Sequence, residues 1–207
     1  MQKFRTKIRI FWQAGVSREQ LVFVAWAIRK FLVFANAGDK ISLEMGNSMD
    51  LSAFKIFSET GWSGYLDSDA VLRHLNENPA HRKNEFYSVL LTKDQLNFPL
   101  HGQWNYTFGS AYPGESAVVC VEDSSKITDY YVRRRVFETT VHEVGHIFGL
   151  VPDDRKESII ITLNYYKHCG NRCVMYPYIG VINDLNLEVA PFCPMCLWYL
   201  QDYFNGK

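Results

Sequence analysis

His142-Glu143-Val144-Gly145-His146-Ile147-Phe148-Gly149 decides the reading of this chain. At about 100° per residue, helix positions four apart lie only about 40° apart around the axis. The imidazoles of His142 and His146 therefore share one face and reach a single zinc ion at roughly 2.0–2.1 Å each. Glu143 points aside from that face. It approaches a water on the ion without displacing it, which is the place of a general base in metal-assisted hydrolysis. Gly149 can take a left-handed conformation, end the helix and turn the chain back toward the metal. Val136, Phe137, Thr140, Val141, Val144, Ile147 and Phe148 fall on the side away from the histidines. One face then packs on a sheet while the other presents ligands to a cleft. Arg133, Arg134 and Arg135 read as the solvated start of the same helix, which we place over 130–149.

Upstream of this helix, elements alternate. Lys3 to Trp12 interleaves polar and apolar residues and reads as a first strand. Ser17 caps a long periodic helix with Glu19 in its first turn and Gly38 near its end. Lys40 to Met45 is a short strand. Residues 46–66, rich in Gly and Ser, yield no assignment. Ser68 caps a helix to about Asn76, stopped before Pro79. Glu85 to Thr92 and Ser116 to Glu122 are strands, and Phe98 to Gly114 between them reads as a long aromatic loop. Strands alternating with helices imply an α/β sheet packed against helices. The last forty or so residues read as a small irregular subdomain held by metal. The chain is expected to be one domain, 1–207, with a sheet-and-helix part over 1–149 and a C-terminal part over 150–207.

The 207 residues are 47% hydrophobic, enough for a sizeable core, and 22 basic residues balance 22 acidic ones. That neutrality supplies no field for gathering nucleic acid or anionic membrane, and no stretch is long enough to span a bilayer. The expectation is a cytoplasmic monomer. Its five cysteines fit a reducing compartment. Cys120 lies in an apolar strand as an inert core residue. Cys169-x3-Cys173 and Cys193-x2-Cys196 form two close pairs, the spacing of a closed tetrahedral thiolate site coupled to folding.

Together these stretches resemble the archaemetzincins, a branch of the metzincin metalloproteases. Their pattern runs H-E-x-x-H-x-x-G-x-x-H-C, C-x-M, seventeen residues, C-x-x-C. Here His142 to Gly149, Cys173-Val174-Met175, the gap 176–192 and Cys193-Pro194-Met195-Cys196 match it, and Asn97 to Phe108 and Ala117 to Val121 are similar to the family's upstream stretch. The resemblance implies a twisted, mixed, mostly parallel sheet over the zinc helix and a small irregular C-terminal subdomain. It implies two zinc ions, one catalytic and one structural on Cys169, Cys173, Cys193 and Cys196. Met175 would be the methionine of the turn beneath the catalytic zinc. The implied activity is hydrolysis of peptide or protein substrates by a zinc-activated water with Glu143 as base. Substrate would align on the strand before the zinc helix, Ser116 to Val121.

The chain departs from this pattern where the third histidine belongs, because that position is Pro152. His168, sixteen residues later and directly before Cys169, is the expected third ligand; Asp153 and Asp154 are its rivals. Leu150 to Lys167 then reads as an insertion. Its Ser158 to Thr162 strand would form a hairpin at the cleft edge and restrict access. The second departure is the three-residue spacing between Cys169 and Cys173, where the family has four. Two other readings stand beside the peptidase: a zinc-stapled binding module that has lost catalysis, and a zinc ribbon contacting nucleic acid, which the neutral charge disfavours.

Overall fold

The computed structural model describes residues 5–57, 63–78, 85–100, 103–121, 129–161, 167–177 and 191–206. Lys3, Glu122, Thr162 and most of the 176–192 gap lie outside these residues. The architecture is mixed α/β, as the alternation of elements predicts.

The main sheet has the order β2-β1-β5-β9-β8, with β1 at Lys7–Gln13, β2 at Ser42–Met49, β5 at Phe86–Thr92, β8 at Gly109–Tyr112 and β9 at Ser116–Cys120. β1, β2, β5 and β9 run parallel, and β8 turns back antiparallel on β9. Every residue of β5 and β9 is buried. Central strands covered on both faces need apolar side chains on both, which is why these two read as continuous apolar runs. Their alternate residues feed two cores. Val89, Leu91, Ala117 and Val119 join the larger one, under α1 (Arg18–Phe34) and α3 (Tyr130–Ile147). Phe86, Leu90, Val118 and Cys120 join the smaller one, under α2 (Ser68–Glu77). Cys120 is thus the buried core residue its strand implies.

The helix starts follow local hydrogen-bond chemistry. Ser17 accepts from the backbone N–H of Gln20, while Gln20 Oε1 accepts from the N–H of Ser17, a reciprocal cap. α1 stops at Phe34, short of Gly38, and Asn36 takes the left-handed φ of 54° just beyond. α2 is capped by Asp67, whose carboxylate accepts from Ala70 N at 3.0 Å; Ser68 is the first helical residue and fully buried.

Phe98 to Gly114 is not a loop. β6 (Gln95–Leu100), β7 (Gln103–Thr107) and β8 fill it, and β6 and β7 complete a second sheet, β3-β4-β6-β7, with β3 at Lys55–Phe57 and β4 at Ser63–Asp67. Pro99 and the glycines hid the strand pattern. The proline is tolerated because β4 pairs only with Gln95 to Asn97, so position 99 has a partner strand on one side. The C-terminal region is also more regular than its cysteines suggest. Cys193 N-caps an eleven-residue helix, α4 (Pro194–Phe204), with Pro194 at its first turn. Cys196, Leu200 and Phe204, four apart, form its buried stripe. Among the described residues no helix is long and apolar enough to cross a membrane.

Candidate metal centres

α3 begins at Asp129, which accepts from the N–H groups of Tyr131 and Val132. Only its first turn is solvated. Arg133 is exposed and lies over the Phe23 ring at 5.1 Å, Arg134 pairs with Glu138 at 2.8 Å, and Arg135 stacks on Phe108 at 4.5 Å. From Val136 to Ile147 every residue is buried, the histidines and Glu143 included. The side chains on the histidine-bearing face are therefore buried, as are those packed on the sheet. Gly149 adopts φ +80° and turns the chain away from the helix, as its position predicts.

β11 (Lys167–Cys169) returns the chain and pairs antiparallel with β10 (Ile159–Ile161), so the expected hairpin exists. It carries His168 to the helix. The His168 ring lies 5.2 Å from that of His142 and 5.0 Å from that of His146. One ring nitrogen from each of His142, His146 and His168 falls within 4.8 Å of the other two. Asp153 and Asp154 are not in this group. Both are exposed, and Asp153 faces Lys167 at 3.6 Å.

Two backbone carbonyls orient the first pair of rings. His142 Nδ1 lies 2.7 Å from Val174 O, and His146 Nδ1 bonds Leu150 O. A carbonyl only accepts, so each Nδ1 carries the proton and each Nε2 keeps its lone pair. Those two Nε2 atoms face one another at 3.1 Å. Two ligands of a tetrahedral zinc with bonds of roughly 2.0–2.1 Å stand about 3.3 Å apart, so the donors fit the ion. Burial holds both imidazoles neutral, with His142 well below the usual histidine range and His146 pushed down to about 3.

Glu143 is 6% exposed, and burial raises its carboxyl to about 8. The residue opposite is Gly109 of β8, where a Cβ would meet Glu143 Cγ at 2.6 Å and Oε1 at 2.7 Å. Gly109→Ala is expected to displace the carboxylate and lower turnover while zinc content stays at the wild-type level; parallel elemental analysis and kinetics check this.

Met175 is fully buried beneath α3. A Cβ at Gly145 would meet its sulfur at 2.5 Å, so the glycine inside the histidine motif makes room for this side chain. Gly145→Ala is expected to cost about 1–3 kcal/mol by overpacking. At about 2–4 °C per kcal/mol for a chain of this size, thermal melting reads the loss directly.

The second cluster lies one residue beyond His168. The four sulfurs of Cys169, Cys173, Cys193 and Cys196 fall within 4.8 Å of one another, all buried and none in a disulfide. Cys169 and Cys193 are 3.6 Å apart, and Cys173 and Cys196 3.9 Å. A tetrahedral zinc with Zn–S bonds of roughly 2.3 Å requires edges of about 3.8 Å, between these two values.

Sequence reasoning did not find the carbonyls of Val174 and Leu150 or the space left by Gly109 and Gly145. It also missed Arg155. This side chain is 2% exposed and donates to Cys169 Sγ at 3.2 Å and Cys196 Sγ at 3.3 Å. The only available signal was the small residue within the histidine motif; carbonyl contacts and a lone arginine in an insertion carry no pattern.

The family model for Peptidase family M54 matches residues 86–202, more than half of the chain. The chain belongs to Peptidase family M54. Among curated relatives, the archaemetzincin of Archaeoglobus fulgidus is 31% identical over 93 residues, 44% of this chain and 48% of that protein. The archaemetzincin of Thermococcus kodakarensis is 28% identical over 172 residues, 79% and 76% of the two chains. The match to the first thus spans about half of that protein's length. Among solved structures, archaemetzincin from Methanopyrus kandleri superposes with a TM-score of 0.67 at 22% identity, covering 97% of this chain and 96% of that one. Metalloproteinase-II from Bacteroides fragilis gives 0.56 at 12% identity, covering 96% and 52%. At these identities the structural likeness concerns the fold.

Proposed function

We propose that this M54 chain is a zinc metallopeptidase with two zinc ions, one on His142, His146 and His168 and one on the four cysteines. The observation that carries this reading is the convergence of three imidazoles, two buried and that of His168 half-buried, beside Glu143. A zinc ion held by these three residues would keep a fourth position for water. A zinc ion held there acidifies a bound water and polarises a peptide carbonyl. The chain's own residues do the rest. The Val174 and Leu150 carbonyls fix the two helix imidazoles in one tautomer. Glu143, wedged against Gly109, accepts the proton of the attacking water and returns it to the leaving amine.

The strand that receives substrate differs from the one expected. Ser116 to Val121 cannot serve, because β9 is bonded to β5 on one side and β8 on the other. β8 is one of the two edge strands of this sheet among the described residues, and β2 at the far end is the other. It carries Gly109 against Glu143, so a peptide added along β8 would run past the base.

Zinc content of the wild type and of His168→Ala tests the reading. The wild type is expected to hold about two zinc ions per chain and the variant about one, with peptidase activity lost. Two ions in both would remove His168 from the centre. A wild type that takes up one ion and cleaves no peptide would favour the binding module.

A further inference from the structure

Arg155 sits in the segment between Gly149 and His168 that departs from the family pattern, and it is among the largest fully buried side chains described. A guanidinium stays charged in a protein, so burying it requires compensating acceptors and negative charge. Its donors go to four places. Nε donates to Glu157 O at 2.9 Å, one terminal nitrogen to Ser158 O at 3.2 Å and Cys169 Sγ at 3.2 Å, and the other to Cys196 Sγ at 3.3 Å. None of its hydrogen-bond partners among the described residues is a carboxylate. The sulfurs are the anions available to it. Four thiolates around a divalent ion leave two negative charges in a buried place, which is the charge a guanidinium offsets.

The other half of the fork holds backbone. Glu157 and Ser158 directly precede β10, and Ser158 O also accepts from Gly170 N at 2.6 Å. A side chain at that crossing would be crowded, since a Cβ on Gly170 would stand 3.1 Å from the Ser158 carbonyl. β10 in turn pairs Ile160 with His168. A single side chain therefore touches two sulfurs of one centre and the root of the hairpin that carries a histidine of the other.

We propose that Arg155 is a positioning residue that joins the two metal centres: it balances the thiolate charge at Cys169 and Cys196 and anchors the hairpin that presents His168. This rests on the reading of the cysteines as a zinc site and of His168 as a ligand.

The test is metal release from the full chain, for wild type, Arg155→Met and Arg155→Lys. Cobalt(II) in place of zinc reports the cysteine site through its thiolate charge-transfer band. A chelator competition reports the affinity of the histidine site. Arg155→Met is expected to release the cysteine-site metal about 10–100-fold faster, the range for lost outer-shell partners, and to weaken the histidine site with it. Arg155→Lys keeps the charge but cannot bond two sulfurs and two carbonyls at once, so it should release faster than wild type and slower than Arg155→Met. If Arg155→Met does not fold, Arg155→Lys decides alone. Wild-type release from either purified variant overturns the proposal. So does faster cysteine-site release with an unchanged histidine site, which breaks the link to His168. A wild type with no thiolate band overturns the cysteine-site reading itself, a result separate from any behaviour of Arg155.

Discussion

Glu143→Gln is expected to lower kcat/KM for peptide hydrolysis by about a thousandfold, the middle of the range for a positioned general base, with both metals retained. The amide has the carboxylate's shape and fills the same space against Gly109, so the substitution leaves no cavity beside α3. It also leaves the ligands alone, because His142 and His146 are oriented by carbonyls of Val174 and Leu150 and not by Glu143. What the amide cannot do is take a proton. Burial raises the Glu143 carboxyl to about 8, above the ordinary carboxylate range. A bound cation beside it favours the ionised form. The side chain thus sits in surroundings where its proton affinity suits exchange with water near neutral pH. Zinc analysis and steady-state kinetics on the same preparation separate the outcomes. Turnover retained in Glu143→Gln would exclude the residue as base, and loss of zinc would make it structural.

The histidine pair was legible because its chemistry is local: one helix and one spacing place both rings. The four cysteines were legible for a similar reason, as two close pairs whose types restrict what they can hold. His168 was harder, since only its neighbour Cys169 pointed to it across a segment that breaks the pattern. The hairpin pairing of Ile160 with His168 supplies what spacing could not. Ser116 to Val121 read as a strand open to substrate because 109–112 read as loop, and only the pairing order shows that β9 has a neighbour on both sides. Strand order is a property of contacts between distant segments, and local periodicity does not encode it. The stretch from Phe98 to Gly114 failed for a different reason. Strands of four to six residues interrupted by proline and glycine fall below the length at which alternation can be recognised. Arg155 had no signal at all, because a charged residue in an insertion reads as solvated until the fold buries it.

Cys193→Ser is expected to abolish activity although its side chain lies in the structural cluster and not beside Glu143. A closed zinc–thiolate site contributes on the order of 10–16 kcal/mol to folding, against a total stability of about 5–15 kcal/mol for a domain. Losing one of four thiolates therefore removes a share comparable with the whole margin. The loss falls on the residues that build the histidine site. Cys169 follows His168 directly, and its N–H bonds the Met175 carbonyl at 2.9 Å. Cys173 precedes Val174, whose carbonyl holds His142, and Met175, which packs under Gly145. Val174 N is bonded in turn to Pro191 O at 2.7 Å, two residues before Cys193. The cluster clamps this loop from both ends. In Cys193→Ser the zinc content should fall from about two to one or none, the melting transition should drop or vanish, and peptide cleavage should disappear with it. Cys120→Ser is the control: its thiol is buried in β9, outside both metal centres, so it should retain both metals and measurable activity. Full activity and two zinc ions in Cys193→Ser would show that the cysteine cluster neither needs its fourth sulfur nor supports the histidine site.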